Sequence, residues 1–205
     1  MATKVAVVAA ASKSRARRRA PMQMQMFADP GGPDFDPDAA PDAGSDEWYT
    51  PRWLLAWLPL IDLDPCWCSA SSVRAALTYD LRRGQDGLAL PWFGMVWCNP
   101  PYSDCRRWVA HAYWAGRTGT IDAVVMLIPA SVGDVFWHEM IWGQDAVVGF
   151  LRGRVPFDTA AGPGKASGLG GSALVIFGPD RLAVHAVIAA KSANHKRRPT
   201  WVQVM

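Results

Sequence analysis

"VWCNPPYSD", residues 96–104, decides how the rest of the chain is read. Three strand-forming residues run into an asparagine, two prolines and an aromatic. Proline has no N–H to give to a ladder, so a strand that meets two of them ends there. Asn99 and Tyr102 are thereby held at the end of whatever strand precedes them. A plain turn satisfies that pattern. So does a pocket for a flat, amino-bearing base, and the flanking sequence has to choose.

Working outward, "MVWC" (95–98) is one strand, with "LIDLD" (60–64) before it and "DAVVMLIPA" (122–130) after it. "DAVVGFLRG" (145–153) and "SALVIFG" (172–178) complete a series of continuous apolar runs. Helical spacing separates them at 104–116 and in "VGDVFWHEMIW", and a short helix is expected near 71–77. Trp53, Leu54, Trp57 and Leu58 share one face of a further helix. Thr50 is its expected N-cap, Pro51 suits its first turn and Pro59 stops it. "DTAAGPGKASGLGG" is expected to be a mobile loop, and "RLAVHAVIAA" suits a strand or a helix. Strands alternating with helices predict an α/β fold, a mostly parallel sheet of about seven strands covered on both faces. Ligands on such sheets sit beyond the carboxyl ends of the strands. That places "DLDPC", "NPPY" and "PAS" around one cleft.

The chain has 205 residues, half of them apolar, enough for one domain with a real core. Residues 47–190 are expected to form it, after a disordered stretch over 1–46 and before a basic tail over 191–205. The net charge of +3 conceals blocks. Lys4, Lys13, Arg15, Arg17, Arg18 and Arg19 open the chain without an acid, and residues 21–50 carry seven acids without a base. Lys191, Lys196, Arg197 and Arg198 close it, again without an acid. Basic ends on a neutral body suit a polyanion such as nucleic acid. Met22, Met24 and Met26 offer alternative starts that would remove the first basic block. Cys66, Cys68, Cys98 and Cys105 contain no CxxC pair, so reduced thiols in a cytoplasmic protein are expected rather than a metal site. No run is long enough to span a bilayer, and the basic cluster follows "VAVVAAA" instead of preceding it, the reverse of a secretion signal.

The chemistry open to "NPPY" follows from its groups. The exocyclic amine of adenine is a poor nucleophile because its lone pair is delocalised into the ring. Two acceptors aimed at its hydrogens return electron density to nitrogen. The Asn99 side-chain oxygen and the Pro100 carbonyl can be those acceptors, preorganised by Pro100 and Pro101. Tyr102 can stack on the base, a contact worth about 1–3 kcal/mol. Such a base must first leave its duplex. An activated nitrogen then needs an electrophile. Asp64 could hold a ligand ammonium, and Asp86 could accept from an adenine amine, a pair that suits S-adenosylmethionine. Asp86-Gly87 equally suits a tight turn. Arg152, Arg154 and Lys165 are candidate phosphate contacts, with solvated surface cations as the alternative.

Taken together, "DEWYTP", "DLDPC", "DGLALPWFGMVWCNPPYS", "VVMLIPAS", "FLRGRVPF" and "SALVIFG" resemble the phage-type DNA N-6-adenine methyltransferase family over roughly residues 46–178. The resemblance implies a class I (Rossmann-like) methyltransferase fold with seven strands. It also implies S-adenosylmethionine as donor and adenine in double-stranded DNA as acceptor, and the transfer as read from these residues requires no metal. By position it assigns Thr50 and Pro51 to the methionine end of the cofactor, and Asp64, Pro65 and Cys66 to the first cofactor loop. Asp86 falls near the cofactor's adenine, and Asn99, Pro100, Pro101 and Tyr102 form the catalytic loop. The chain departs from the pattern in lacking a GxG after its first strand and in the short interval from Asp64 to Asp86, which leaves only Asp80 or Asp62 for the ribose. Two rivals remain on sequence grounds. One is the same chemistry on RNA or on a protein glutamine. The other is a DNA-binding protein that has lost catalysis.

Overall fold

A computed structural model describes residues 48–159, 162–167 and 170–204, the side chains of 165–167 excepted. Among the described residues there are nine strands: β1 Ile61–Asp64, β2 Ala75–Thr78, β3 Met95–Cys98, β4 Ala123–Pro129, β5 Ala146–Leu151, β6 Pro156–Thr159, β7 Gly162–Ser167, β8 Ser172–Phe177 and β9 Pro199–Val204. Seven of them form one sheet in the order β2-β1-β3-β4-β8-β5-β9, while β6 and β7 make a separate antiparallel ribbon. β1 is parallel to β2 and β3, and β3 to β4. β8 is antiparallel to both β4 and β5, and β9 is antiparallel to β5. Five strands therefore share one direction, although three of the six pairings are antiparallel.

Side chains alternate across this sheet, and each face has its own core. Val96, Val124, Met126 and Val148 face α2 (Cys105–Thr118) and α3 (Val135–Met140), meeting Trp108, Val109 and Trp137. Trp97, Val125, Leu127 and Ile176 face the other way, toward α1 (Arg52–Leu55) and α4 (Arg181–Ser192), meeting Leu54, Val184 and Ile188. Both faces are dry, which is why the central strands read as unbroken apolar runs rather than alternating ones. Burial of each large aliphatic contributes about 1.5–3 kcal/mol, so the sheet is the stiff platform from which the loops project.

Four expectations need correction. Residues 75–78 are strand β2, not part of a helix over 71–77: Ile61 pairs with Ala75, Leu63 with Leu77 and Asp64 with Thr78. Alanine's helix preference is worth only tenths of a kcal/mol here, and an open sheet edge outweighs it. The N-cap of α1 is Pro51 rather than Thr50, with no side-chain capping bond; Thr50 is buried instead. The glycine-rich stretch after Phe157 is not simply a loop, because β7 pairs with β6. The basic stretch near 191–205 is not a tail either. α4 runs through Lys191, and β9 adds to β5 along its whole length. The Trp201 ring of β9 packs against Gly149, where an added Cβ would come within 2.5 Å of it. The stretch over 1–46 lies outside the described residues.

Candidate functional site

Chain order reverses between β1 and β3: β1 leads outward to β2, then the chain returns to the other side of β1. A crevice opens at the carboxyl ends of strands on either side of such a reversal. Asp64 ends β1 on one side, and Asn99 follows β3 on the other.

The two loops touch. The backbone N–H of Cys66 donates to Asp64 Oδ1 at 3.1 Å. The Cys66 thiol lies 3.3 Å from the Asn99 carbonyl oxygen, 3.6 Å from Asp64 Oδ1 and 3.7 Å from Cys98 Sγ. All four cysteines are free. Asp64 is buried, and burial pushes its carboxyl up to about 7, with the bonds from Cys66 pulling the other way. The Cys66 thiol is raised well above its ordinary range by Cys98 and by burial; Cys98 is raised by burial. Both thiols are thus neutral neighbours of a carboxyl poised to change charge near neutrality.

Asp86 reaches the same region through Gly87. A Cβ on Gly87 would sit 1.9 Å from the Pro65 carbonyl oxygen, so only glycine lets this segment lie against the Asp64-Pro65-Cys66 loop. Trp92 Nε1 fixes it by donating to the Gly87 carbonyl at 2.7 Å. Asp86 itself is exposed, and its Oδ1 accepts from the Leu88 N–H at 2.9 Å, the tight-turn geometry. The ribose candidates are engaged elsewhere. Asp80 is buried at the end of β2 and accepts from the Arg82 N–H, and Asp62 accepts from the Met95 N–H at 2.8 Å, joining β1 to β3.

The catalytic-loop candidates form a compact corner. Pro100 is buried, and Pro101 starts a single 3-10 turn over Tyr102–Asp104 that leads into α2. Asn99 Nδ2 donates to the Trp48 carbonyl at 2.7 Å, which fixes the amide's orientation. Its Oδ1 is then buried without a partner, as is the Tyr102 hydroxyl. Among the described residues only four buried side-chain polar atoms lack a hydrogen-bond partner, and two of them belong to "NPPY". Orphaned polar atoms cost about 1–3 kcal/mol each and call for a reason. The Tyr102 phenol is pushed up by burial, with Cys105 adding to the rise and the nearby Ser172 side chain opposing it.

Trp48 and Phe157 complete the corner. The Trp48 and Tyr102 rings are 16° from parallel with centroids 6.4 Å apart. Phe157 stands edge-on to both, at 5.3 and 6.1 Å. Tyr49 holds this cover in place by exchanging backbone bonds with Asp158 of β6, at 2.9 and 3.0 Å. A cleft of about 570 Å³ lies outside the cover, between Pro51, Arg52 and the β6–β7 ribbon. Neither this cleft nor one of about 590 Å³ beside Arg52 and Arg74 is lined by Asn99, whose amide is bonded to the Trp48 carbonyl.

The corner thus gathers Asn99, Pro100, Pro101, Tyr102, Asp64, Pro65 and Cys66, with Thr50, Pro51 and Asp86 at its border. Arg152 and Arg154 are not in it; they leave β5, three strands from β3. Lys165 lies on β7. The roles of Trp48 and Gly87 went unread in the sequence. "DEWYTP" and "DGL" were visible, but a carbonyl acceptor and a missing methyl carry no sequence signal of their own.

The residues fit S-adenosylmethionine in kind. A buried carboxyl that would gain from a cation ends β1, and a glycine-cleared loop stands beside it. Among the described residues no group of His, Cys, Asp and Glu could hold a metal, and no helix is long and apolar enough to cross a membrane. A family model described as DNA N-6-adenine-methyltransferase (Dam) matches residues 38–199. No curated protein and no solved structure matches the chain.

Proposed function

The chain belongs to the DNA N-6-adenine-methyltransferase (Dam) family, and from that premise we propose that it methylates the exocyclic amine of an adenine swung out of duplex DNA. The observation that carries this reading is the Asn99 side chain, whose Nδ2 is tied to Trp48 while Oδ1 is buried and unpaired. An acceptor kept dry and already oriented is worth more to a charge-developing amine than one that must shed water first. The Pro100 carbonyl supplies the second acceptor, and Tyr102 stacks on the base while Phe157 lines its edge.

S-adenosylmethionine, when bound in a class I manner at the β1–β3 crevice, supplies an electrophilic methyl group on a sulfonium. Asp64, Pro65 and Cys66 would hold its methionine end together with Thr50 and Pro51, and Asp86 its adenine end. Asp64 would face the ligand's ammonium in its ionised form, its proton having passed to water. Trp48 gives way as the base enters, exchanging its contact with Tyr102 for that of the purine.

The test is transfer of labelled methyl from the cofactor to duplex DNA, RNA or protein, followed by digestion of the DNA to nucleosides. Label in N6-methyladenosine of DNA is expected. Label confined to RNA or protein overturns the choice of acceptor. Failure of calorimetry to detect cofactor binding overturns the reading of the β1 loop.

A further inference from the structure

Basic residues far apart in sequence meet on one edge of the sheet. Arg152 and Arg154 follow the carboxyl end of β5, while Lys196, Arg197 and Arg198 lead into β9. Leu151 pairs with Pro199, so the two segments emerge side by side. The Arg197 guanidinium donates to the Arg154 carbonyl and lies against Gly153, where an added Cβ would be 3.2 Å from Nη1. This fixes residues 196–198 in place. Arg152, Arg154, Lys196 and Arg198 are exposed. Arg83, Arg106, Arg107 and Arg181 each pair with an acid, but none of these five cations does so among the described residues.

Cations gathered without counter-charges raise the local positive potential and attract an anion. β5 runs parallel to β3, so this ledge shares the carboxyl edge with Asn99. It stands three to four strand intervals away, about 14–19 Å at the usual spacing. Phosphates recur about every 3.4 Å along one strand. We propose that Arg152, Arg154, Lys196, Arg197 and Arg198 form a phosphate ledge for duplex DNA, gripping the backbone roughly four to six nucleotides from the extruded base. The ledge rests on the function proposed above and adds the path of the DNA: across the carboxyl edge from the β1–β3 crevice toward β9.

The experiment uses the full chain and a labelled duplex of about 25 base pairs, with anisotropy followed from about 50 to about 200 mM salt. The comparison is with a variant carrying R152Q, R154Q, K196Q and R198Q; Arg197, which braces the Arg154 carbonyl, is retained. Each lost phosphate contact should reduce the slope of log affinity against log salt by about 0.9, so the loss of four contacts should make the slope shallower by about 3.6. Melting temperature and cofactor affinity report that the variant is folded. Wild-type binding with the same slope in the folded variant overturns the ledge and leaves the function standing. If the wild type does not bind duplex while methyl label appears in another acceptor, the ledge and the proposed acceptor both fall.

Discussion

The two halves of the sheet handle polar groups in opposite ways. The parallel half, β2-β1-β3-β4, ends in loops that bury them at a cost: a carboxyl raised to about 7 at Asp64 and an unpaired amide oxygen at Asn99. The antiparallel half, β8-β5-β9, pairs its strands along most of their length and puts its charges outside, on Arg152, Arg154, Lys196 and Arg198. Buried polar groups are strong and short-ranged, and they are disturbed by any misplacement. Exposed charges are weaker one by one and screened by salt, but they act over several base pairs. Under the proposed function, the chemistry draws on the first kind and the grip on a long polyanion on the second.

The largest effect expected from breaking this contrast is at Asn99. Asn99→Ala removes a preorganised acceptor and should lower kcat by about 10²–10³. Cofactor affinity should be retained in calorimetry, and a near-normal single-turnover rate would remove the activation proposal. Next comes Gly87→Ala, whose methyl would meet the Pro65 carbonyl at 1.9 Å. Overpacking against backbone costs about 1–3 kcal/mol and can exceed that. Chemical denaturation should show such a loss, together with weaker cofactor binding. The matched change Gly149→Ala, against the Trp201 ring, should destabilise the fold while leaving cofactor affinity intact.

Asp64 sharpens the same contrast through pH. Its folded pKa of about 7 lies above the ordinary 3.8, so folding favours the protonated form. Its contribution to stability is complete below pH 3.8 and is lost as pH rises toward 7. A bound ammonium favours the ionised form, so cofactor affinity should rise up to about tenfold per unit as pH approaches 7, then level off. Asp64→Asn should flatten both profiles; an unchanged slope assigns the proton elsewhere. The smallest effect is expected at Trp48. Trp48→Ala keeps the carbonyl that orients Asn99 but removes a ring contact worth about 1 kcal/mol, which the entering base must displace. KM for duplex should fall about fivefold, and a rise would mean that the ring helps to hold the base.

The sequence was most legible where local and tertiary signals agree. Val96, Trp97 and Cys98 are fully buried strand residues, and the prolines that follow stop β3 where the pattern indicates. β2 was hidden because "AALT" is an edge strand whose identity comes from its neighbour β1, not from its own residues. β9 was hidden because its basic approach resembles a solvated tail, while its partner β5 lies some fifty residues earlier. In the site, Asn99, Tyr102 and Asp64 could be named from residue type. The Trp48 carbonyl could not, since every residue has one and only the folded chain shows which one reaches Asn99.

The orientation of β9 has a practical consequence. It starts at Pro199 beside Leu151 and ends with Val204 beside Ala146, the amino end of β5. A reporter or capture module fused after this strand would therefore emerge on the side of the sheet away from Asn99, so immobilising the protein through that fusion would keep the rim that carries Asn99 turned outward.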